Sequence, residues 1–329
     1  MSASRTRFRG LAPAAALVAI IAAGCMPAAG EPASSPVADR GSPTPAATRA
    51  TTPGPATPAE PDTLRDSGTV AVGELDMYYE VHGAGDPIVL LHGAYTGIDI
   101  SFGPLIPILA QDWTVIAVEQ QGHGRTEDVD RPLSYEQMAD DTASVLRDLG
   151  VERADIFGYS LGANTALQIA VRHPDLVDRL AVASAYVDPA GLYPGVLDGI
   201  AATSPEAFEG SGLREAYAAV APDPDAWPVL IEKVKELDLS FEGWPPAMIE
   251  AIEAPTLVMI GDSDIVDPAH ATRMFQLLGG GVPGDFTGLP DAQLAVLPGT
   301  THVGVLAERT DWIVSMLQTF LAASPTPGS

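Results

Sequence analysis

Short, fully apolar runs recur along the chain and are separated by longer stretches with apolar positions at helical spacing. The apolar runs, which predict buried strands, lie at 87–91, 114–118, 155–159, 180–183, 256–260 and 293–297. The helical stretches lie at 134–149, 161–172, 268–278 and 303–321. Alternation of such strands with helices is typical of a parallel sheet covered by helices on both faces. We therefore expect an α/β fold with a doubly wound, mostly parallel sheet, preceded by a hairpin at 69–71 and 77–81.

One interval breaks this alternation, between the predicted strands at 180–183 and 256–260. The intervening segment at 186–250 is longer than an ordinary connection and carries its own helical patches. We interpret it as an inserted helical lid. The predicted folded domain then spans 67–323, and a disordered tail follows at 324–329.

The N-terminal segment has the pattern of an export signal. Arg5, Arg7 and Arg9 precede an apolar run at 11–23, and no acidic residue occurs before Glu31. This run is shorter than the roughly 18 apolar residues of a membrane-spanning helix, and it falls within the roughly 7 to 15 residues of a signal-peptide core. Residues 1–24 are therefore predicted to be a signal peptide.

The residues that follow the apolar run suggest an anchor and a tether. Ala22-Ala23-Gly24-Cys25 resembles the lipobox of bacterial lipoproteins, in which the cysteine becomes the lipidated first residue of the mature protein. The alternative is an ordinary secretory signal with an incidental cysteine. Residues 25–66 are rich in Pro, Ala, Thr and Ser, which predicts a disordered tether. We expect a protein held to a membrane of the cell envelope, outside the cytoplasm, through lipid on Cys25.

Composition excludes several classes of partner and site. The 329 residues include 17 Lys and Arg against 43 Asp and Glu, a formal charge of −26, which argues against a nucleic-acid partner. A single cysteine excludes an intramolecular disulfide and zinc sites built on cysteine pairs. The histidines show no metal-ligand spacing, so we expect neither metal nor cofactor.

The first chemical motif is Gly158-Tyr159-Ser160-Leu161-Gly162, a GxSxG sequence between a predicted strand and a predicted helix. In this context the glycines permit a tight, strained turn that presents the serine. Ser160 would then lie at the carboxyl edge of the sheet, where open α/β folds bind ligands. A serine hydroxyl becomes a useful nucleophile only with a base, and the base needs an acid to orient it.

Two late segments could supply that base and acid. Asp264 and His302 each follow a predicted strand, so both are expected at the same edge of the sheet as Ser160. Three other carboxylates compete with Asp264 for the role of the acid. These are Asp262 and Asp267, which could belong to a turn or a helix cap, and Asp188, which follows an earlier strand.

Four motifs in order give the chain a resemblance to a known family. They are His92-Gly93 after one strand, Gln121-Gly122-His123-Gly124-Arg125-Thr126 after the next, the GxSxG elbow, and the Gly-x-x-Asp and Gly-x-x-His pairs that end at Asp264 and His302. Over residues 67–323 the chain resembles lid-bearing serine hydrolases of the α/β-hydrolase fold family. That resemblance implies that Ser160 is the nucleophile, Asp264 the acid and His302 the general base.

The resemblance also implies the surroundings of the nucleophile. Backbone N–H groups of Ala94 and Leu161 would form an oxyanion hole, and Tyr95 and Tyr159 beside them would contact the substrate. The chain departs from the family at 119–124, where Glu-Gln-Gln-Gly-His-Gly replaces the common Asp-x-Arg-Gly-x-Gly. A serine at the elbow argues against the dehalogenase and epoxide hydrolase branches, which use aspartate there.

The lid bears on the substrate. Its aromatic residues could line an apolar pocket or serve the packing of the lid itself; they are Tyr186, Tyr193, Phe208, Tyr217, Trp227, Phe241 and Trp244. The segment holds twelve acidic residues against three basic ones, which disfavours anionic substrates. No basic cluster is available to bind a carboxylate or phosphate, so we expect neutral or cationic small molecules as substrates. The simplest expectation is hydrolysis of small to medium neutral carboxylic esters through an acyl-enzyme. The alternatives are hydrolysis of amide, lactone or carbon–carbon bonds, perhydrolysis, and a non-catalytic envelope lipoprotein that binds an apolar ligand.

Overall fold

The computed structural model describes residues 63–322, and an eight-stranded sheet forms the centre of this region. The strands are β1 (Leu64–Val72), β2 (Leu75–Gly83), β3 (Asp86–Leu91), β4 (Trp113–Val118), β5 (Ala154–Tyr159), β6 (Val177–Ala183), β7 (Thr256–Ser263) and β8 (Ala292–Thr301). Their spatial order is β1-β2-β4-β3-β5-β6-β7-β8. β2 runs antiparallel to β1 and β4, and all other neighbours are parallel. The predicted doubly wound, mostly parallel sheet is confirmed.

Helices connect the strands and cover both faces of the sheet. The α-helices are α1 (Ile98–Phe102), α2 (Ile106–Leu109), α3 (Tyr135–Asp148), α4 (Leu161–Arg172), α5 (Val196–Ala201), α6 (Leu213–Val220), α7 (Trp227–Ser240), α8 (Pro246–Glu250), α9 (Pro268–Leu277), α10 (Gly284–Thr287), α11 (Gly304–Ala307) and α12 (Thr310–Leu321). Short 3₁₀ turns occur at Pro174–Leu176, Pro189–Gly191, Pro205–Phe208 and Pro224–Ala226. Among these described helices, none has the length and apolar character needed to cross a membrane.

The two faces of the sheet form two hydrophobic cores. Along β3, Val89 and Leu91 belong to one core, whereas Ile88 and Leu90 belong to the other. This alternation follows from the two-residue period of a strand. The first core contains α3, α4, α9 and the lid, and the second contains α1, α2, α11 and α12. Continuous apolar runs are therefore explained by burial of the central strands on both faces.

The structure differs from the predicted elements at both ends of the domain. β1 begins at Leu64, within the range predicted as tether, because residues 64–67 pair with β2 although few of them are apolar. The predicted helix at 303–321 is two helices, because Glu308 and Arg309 leave the helical conformation. The Arg309 side chain binds the Gly299 carbonyl and the Thr300 hydroxyl, which ties this break to β8.

β8 is also longer than the run at 293–297 that predicted it. It continues through Pro298 and Gly299 and pairs with β7 as far as Thr301. A proline is tolerated there because β8 is the edge strand of the sheet. The predicted signal peptide at 1–24, Cys25, the tether up to residue 62 and the tail at 324–329 lie outside the described residues.

The segment predicted as a lid lies between β6 and β7 and contains α5, α6, α7 and α8. Its aromatic side chains mainly contact one another and the body of the domain. Phe208 and Trp227 pack edge to face at 5.5 Å, and Phe241 and Trp244 pack at 4.9 Å. Of the seven lid aromatics, Phe208 lines the cleft described below. Packing of the lid therefore accounts for most of them.

Candidate active site

The turn between β5 and α4 holds Ser160 in a strained conformation. Its φ of 54° and ψ of −118° lie in a backbone region that residues other than glycine rarely adopt. The flanking glycines are required by space, since a Cβ on Gly158 would lie 2.2 Å from the Gly162 carbonyl oxygen. A Cβ on Gly162 would lie 2.0 Å from the Leu91 carbonyl oxygen. The Ser160 N–H donates to the Ala183 carbonyl at 2.9 Å, which fixes the turn against β6.

Three side chains form one hydrogen-bonded series at the carboxyl edge of the sheet. His302 Nε2 lies 2.9 Å from Ser160 Oγ, and His302 Nδ1 lies 2.7 Å from Asp264 Oδ1. An ionised carboxylate can only accept, so the proton of the neutral imidazole is on Nδ1 and Nε2 accepts from the serine hydroxyl. The structure thus brings together the three residues predicted as nucleophile, base and acid.

The competing carboxylates have other contacts. Asp262 Oδ1 accepts from the Thr300 N–H at 3.2 Å. Asp267 accepts from the Ala269 N–H at 2.8 Å and caps α9. Asp188 accepts from the Ala190 N–H at 2.8 Å at a 3₁₀ turn. Among the four candidates, Asp264 is therefore the one in contact with the imidazole.

Asp264 is a buried carboxylate with a full set of donors. Besides His302, it accepts from the Ser184 hydroxyl at 2.6 Å and from the Val266 N–H at 3.1 Å. Burial acts to raise the pKa of Asp264. Even so, the charge and hydrogen bond of His302, together with the other two donors, hold that pKa below its ordinary value. Asp264 is thus kept ionised to orient the imidazole.

The loop after β3 passes close to Ser160. A Cβ on Gly93 would lie 2.9 Å from the Tyr159 ring and 3.6 Å from Ser160 Cβ. Ala94 lines the same cleft as Ser160, and Leu161 is the first residue of α4, so its N–H has no partner within the helix. These positions are compatible with the predicted oxyanion hole, whose function stays a prediction.

A buried histidine orders this loop. His92 Nε2 accepts from the Gln120 N–H at 3.0 Å, so Nδ1 carries the proton and donates to the Gly93 carbonyl at 2.8 Å. Complete burial lowers the pKa of His92 to about 4, which keeps the ring neutral. The neighbouring His123 ring lies 5.0 Å from it.

The departure at 119–124 has a structural counterpart. Glu119 is buried, and its carboxylate accepts from the Ile98 N–H at 3.1 Å and from the Arg125 guanidinium at 3.0 Å. Burial raises the pKa of Glu119, and Arg125 opposes that rise. Gln121, at the position of the common arginine, accepts from Arg131 Nε at 2.6 Å. The Arg131 guanidinium therefore lies beside position 121, where the family commonly has an arginine.

Ser160 and His302 open into a cleft between the sheet edge and the lid. The cleft encloses about 1140 Å³, including its open mouth, and its walls are mostly apolar. Tyr159 lines it, but the Tyr159 hydroxyl donates to the His302 carbonyl at 2.9 Å, so this side chain also holds the histidine in place. Tyr95 lines it too, with its ring 5.0 Å from Phe208 of the lid.

Sequence reasoning missed one residue of this cleft, Asp238 on α7. It receives hydrogen bonds from Tyr186 Oη at 2.8 Å and Tyr135 Oη at 3.4 Å. Burial raises the pKa of Asp238 to about 6, although both hydroxyls and the charge of His302 act to lower it. The sequence spacing could have indicated that Asp238 faces inward. It lies four residues after the buried Val234, so it continues the inward face of the helix.

No group of three or more His, Cys, Asp or Glu side chains within residues 63–322 is arranged to hold a metal ion.

Comparison with known proteins identifies the same architecture. The family model described as alpha/beta hydrolase fold matches residues 86–226. The Caulobacter vibrioides protein named "Putative carbamate hydrolase RutD" is 32% identical over 125 residues, which are 36% of this chain and 46%, about half, of that protein. The RutD protein of Azorhizobium caulinodans is 26% identical over 250 residues, 70% of this chain and 89% of that protein.

A solved structure gives the same likeness over a longer range. The 2-hydroxy-6-oxo-6-phenylhexa-2,4-dienoate hydrolase of a Rhodococcus strain superimposes with a TM-score of 0.63 at 23% identity. The match covers 79% of this chain and 100% of that chain. At this identity the likeness concerns the fold.

Proposed function

Because the chain has the α/β-hydrolase fold and holds a serine, a histidine and an aspartate in one hydrogen-bonded series, we propose that it is a serine hydrolase acting through an acyl-enzyme. The observation that carries the proposal is the series Ser160–His302–Asp264, which opens into an apolar cleft. Ser160, Asp264 and His302 are then the nucleophile, the orienting acid and the general base.

The geometry suggests the following reaction. His302 Nε2 takes the Ser160 proton as Oγ attacks the substrate carbonyl carbon, and the Nδ1 proton stays hydrogen-bonded to Asp264. The N–H groups of Ala94 and Leu161 bind the oxyanion, and each such donor typically contributes ~10²- to 10³-fold in rate. His302 then gives its proton to the leaving group. Water, deprotonated by the same histidine, releases the acid product and restores Ser160.

We propose carboxylic esters of small to medium size as the substrate class. The mostly apolar wall of the cleft suits an uncharged acyl or alkyl group. The acidic lid disfavours anions. A second candidate is carbamate hydrolysis, since two of the similar proteins are named "Putative carbamate hydrolase" and the same series of residues can attack either carbonyl.

The test is labelling of the full-length chain with a fluorophosphonate probe, which reacts with activated serines. We expect labelling of the wild type and none of Ser160→Ala or His302→Ala, with all three proteins equally folded by circular dichroism. Ser263→Ala, an exposed serine next to Asp262, is the matched control and should label fully. Labelling of Ser160→Ala, or none of a folded wild type, would overturn the proposal. Matched esters and carbamates then identify the bond.

We also propose that the protein is a lipoprotein of the cell envelope. The basic residues at 5–9, the apolar run at 11–23 and Cys25 after Gly24 support this. We expect metabolic labelling with a radioactive fatty acid in the wild type and its loss in Cys25→Ser, which changes one atom of the side chain. A Cys25→Ser protein that is still lipidated would contradict the anchor.

A further inference from the structure

The cleft contains a carboxylate that the reaction described above does not use. Asp238 comes from the lid, and the nucleophile and base come from the edge of the sheet, yet all three line the same cavity. Much of the remaining wall is apolar and includes Ile200, Leu213, Ile265 and Leu306. An ionisable group on such a wall is costly, because water is partly excluded around it.

The two oxygens of Asp238 have unequal surroundings. Both tyrosine hydroxyls donate to Oδ1, from Tyr186 at 2.8 Å and from Tyr135 at 3.4 Å. Within residues 63–322, Oδ2 receives no hydrogen bond, and it is not sealed from solvent. A carboxylate oxygen can accept about two hydrogen bonds. Oδ2 is therefore open to a donor in the cleft.

The charge of Asp238 also lacks an opposite charge nearby. In the described part of the chain, no Lys, Arg or His nitrogen lies within 4.0 Å of it. The two lysines of the same helix pair elsewhere, Lys233 with Asp128 and Lys235 with Glu232. Asp238 also lies in the last turn of α7, where the helix dipole disfavours a negative charge. Each of these features would be relieved by a bound cation.

From this arrangement, and resting on the proposed function, we propose that Asp238 Oδ2 binds a cationic nitrogen of the substrate, which directs the enzyme to esters that carry a protonated amine. The apolar wall would hold the hydrocarbon part, and Oδ2 would accept from the ammonium group. A purely structural role as an acceptor for the tyrosines needs no charge, because an amide oxygen could fill it.

The groups facing Asp238 set the pH range of this recognition. They are the hydroxyls of Tyr135 and Tyr186, and Tyr95 and His302 across the cleft. Burial raises the pKa of Asp238 to about 6, so the carboxylate is mostly ionised above that pH and protonated below it. Preference for a cation should therefore be present at about pH 8 and lost at about pH 5.

The experiment compares 1-hexylammonium with 1-hexanol as ligands of the full-length chain, with Kd measured by ligand-observed NMR titration at about pH 8. Both ligands have a six-carbon chain and a terminal donor, and they differ in charge. We expect the ammonium to bind at least about tenfold more tightly to the wild type. In Asp238→Asn, which can still accept from the tyrosines, the two Kd values should become similar. Hexanoate should bind most weakly to the wild type.

The matched control is Glu236→Gln, which removes an exposed acid from the same helix and should keep the preference. Equal Kd values in the wild type, a preference that survives in Asp238→Asn, or an equal loss in Glu236→Gln would each overturn the proposal. The wild-type pH dependence gives a second test without a variant, and a preference unchanged at about pH 5 would also contradict it. Binding needs no turnover, so its failure is separate from a failure of fluorophosphonate labelling.

Discussion

The sheet edge and the lid each place one carboxylate near the same cleft, and the two differ in the hydrogen bonds that they receive. Asp264 is buried, and Asp238 is partly buried. Asp264 at the sheet edge receives hydrogen bonds on both oxygens, from His302, Ser184 and Val266. Asp238 in the lid receives them on one oxygen only, within the described residues. The pKa of Asp264 lies below its ordinary value, and burial raises that of Asp238 to about 6.

This difference shows how the surroundings of a carboxylate decide its use. A carboxylate with a full set of donors is a fixed negative charge that can hold an imidazole in one tautomer. A carboxylate with a free oxygen and no ion-pair partner can gain from a ligand. Burial alone does not separate the two cases, because it acts to raise the pKa of both.

The largest expected effect comes from Asp264→Asn. The asparagine amide can donate to His302 Nδ1, which places the imidazole proton on Nε2 and prevents it from accepting the Ser160 proton. We expect kcat for ester hydrolysis to fall by about 10⁴-fold with little change in fold. The matched control is Asp262→Asn, an exposed neighbour that should stay within about threefold of wild type. Retention of a tenth or more of kcat in Asp264→Asn would contradict the assignment.

A smaller effect is expected from Ser184→Ala, which removes one donor from Asp264 Oδ2. Ser184 has a positive φ of 58°, but alanine bears the same backbone strain, so the change isolates the hydrogen bond. A hydrogen bond to a charged group contributes about 1.5–3 kcal/mol, and we expect kcat to fall by about tenfold. The pKa of Asp264 should rise, because its ionised form loses one donor. An unchanged kcat in a folded Ser184→Ala protein would contradict a role of this hydrogen bond in catalysis.

Much of this molecule could be predicted from local patterns. The buried strands have continuous apolar runs, and Ser160 lies in a motif whose glycines leave no room for a Cβ, which on Gly162 would lie 2.0 Å from the Leu91 carbonyl oxygen. Asp264 and His302 could be placed because parallel strands bring their carboxyl ends to one edge. The family resemblance pointed to Asp264 rather than Asp262, and the turn geometry supplies the physical reason. Asp264 contacts His302 Nδ1, whereas Asp262 is exposed and accepts from the Thr300 N–H.

What the sequence could not show lies between elements that are distant along the chain. Asp238 meets Tyr135 of α3 across 103 residues and Tyr186 across 52 residues. No local period encodes those contacts. The start of β1 was missed for a similar reason, since residues 64–67 are held by pairing with β2 rather than by their own apolar character.

Tyr186→Phe tests how hydrogen bonding sets the pKa of Asp238 in the lid. This change removes the 2.8 Å hydrogen bond to Asp238 and leaves the longer one from Tyr135. The pKa of Asp238 should rise above about 6, by up to about one unit. The hexanol Kd divided by the hexylammonium Kd measures the preference for the cation, and this ratio falls as Asp238 is protonated. The midpoint of that fall should therefore lie at a higher pH in Tyr186→Phe than in the wild type. Tyr193→Phe, an exposed lid tyrosine, is the control, and an equal midpoint in the two variants would contradict the coupling.

The smallest effect concerns another buried carboxylate, at the end of the sheet opposite the cleft. Asp155 lies near the start of β5, and its Oδ1 has no hydrogen-bond partner within residues 63–322. Burial raises the pKa of Asp155 to about 7, with Asp178 adding to the rise and Arg179 opposing it. Unlike Asp238, Asp155 does not line the cleft that holds Ser160.

The carboxyl of Asp155 ionises near its ordinary pKa in the unfolded chain but only near pH 7 in the folded chain. Between these two pH values, Asp155 is therefore protonated more in the folded state than in the unfolded state. Its contribution to stability therefore declines as pH rises from about 4 to about 7. Asp155→Asn should then stabilise the fold by about 1 kcal/mol at pH 8 and by much less at about pH 4.5, measured by urea unfolding. Asp178→Asn, an exposed neighbour, should change stability less. A loss of stability in Asp155→Asn at pH 8 would mean that the charge of Asp155 is needed, as it is for Asp264.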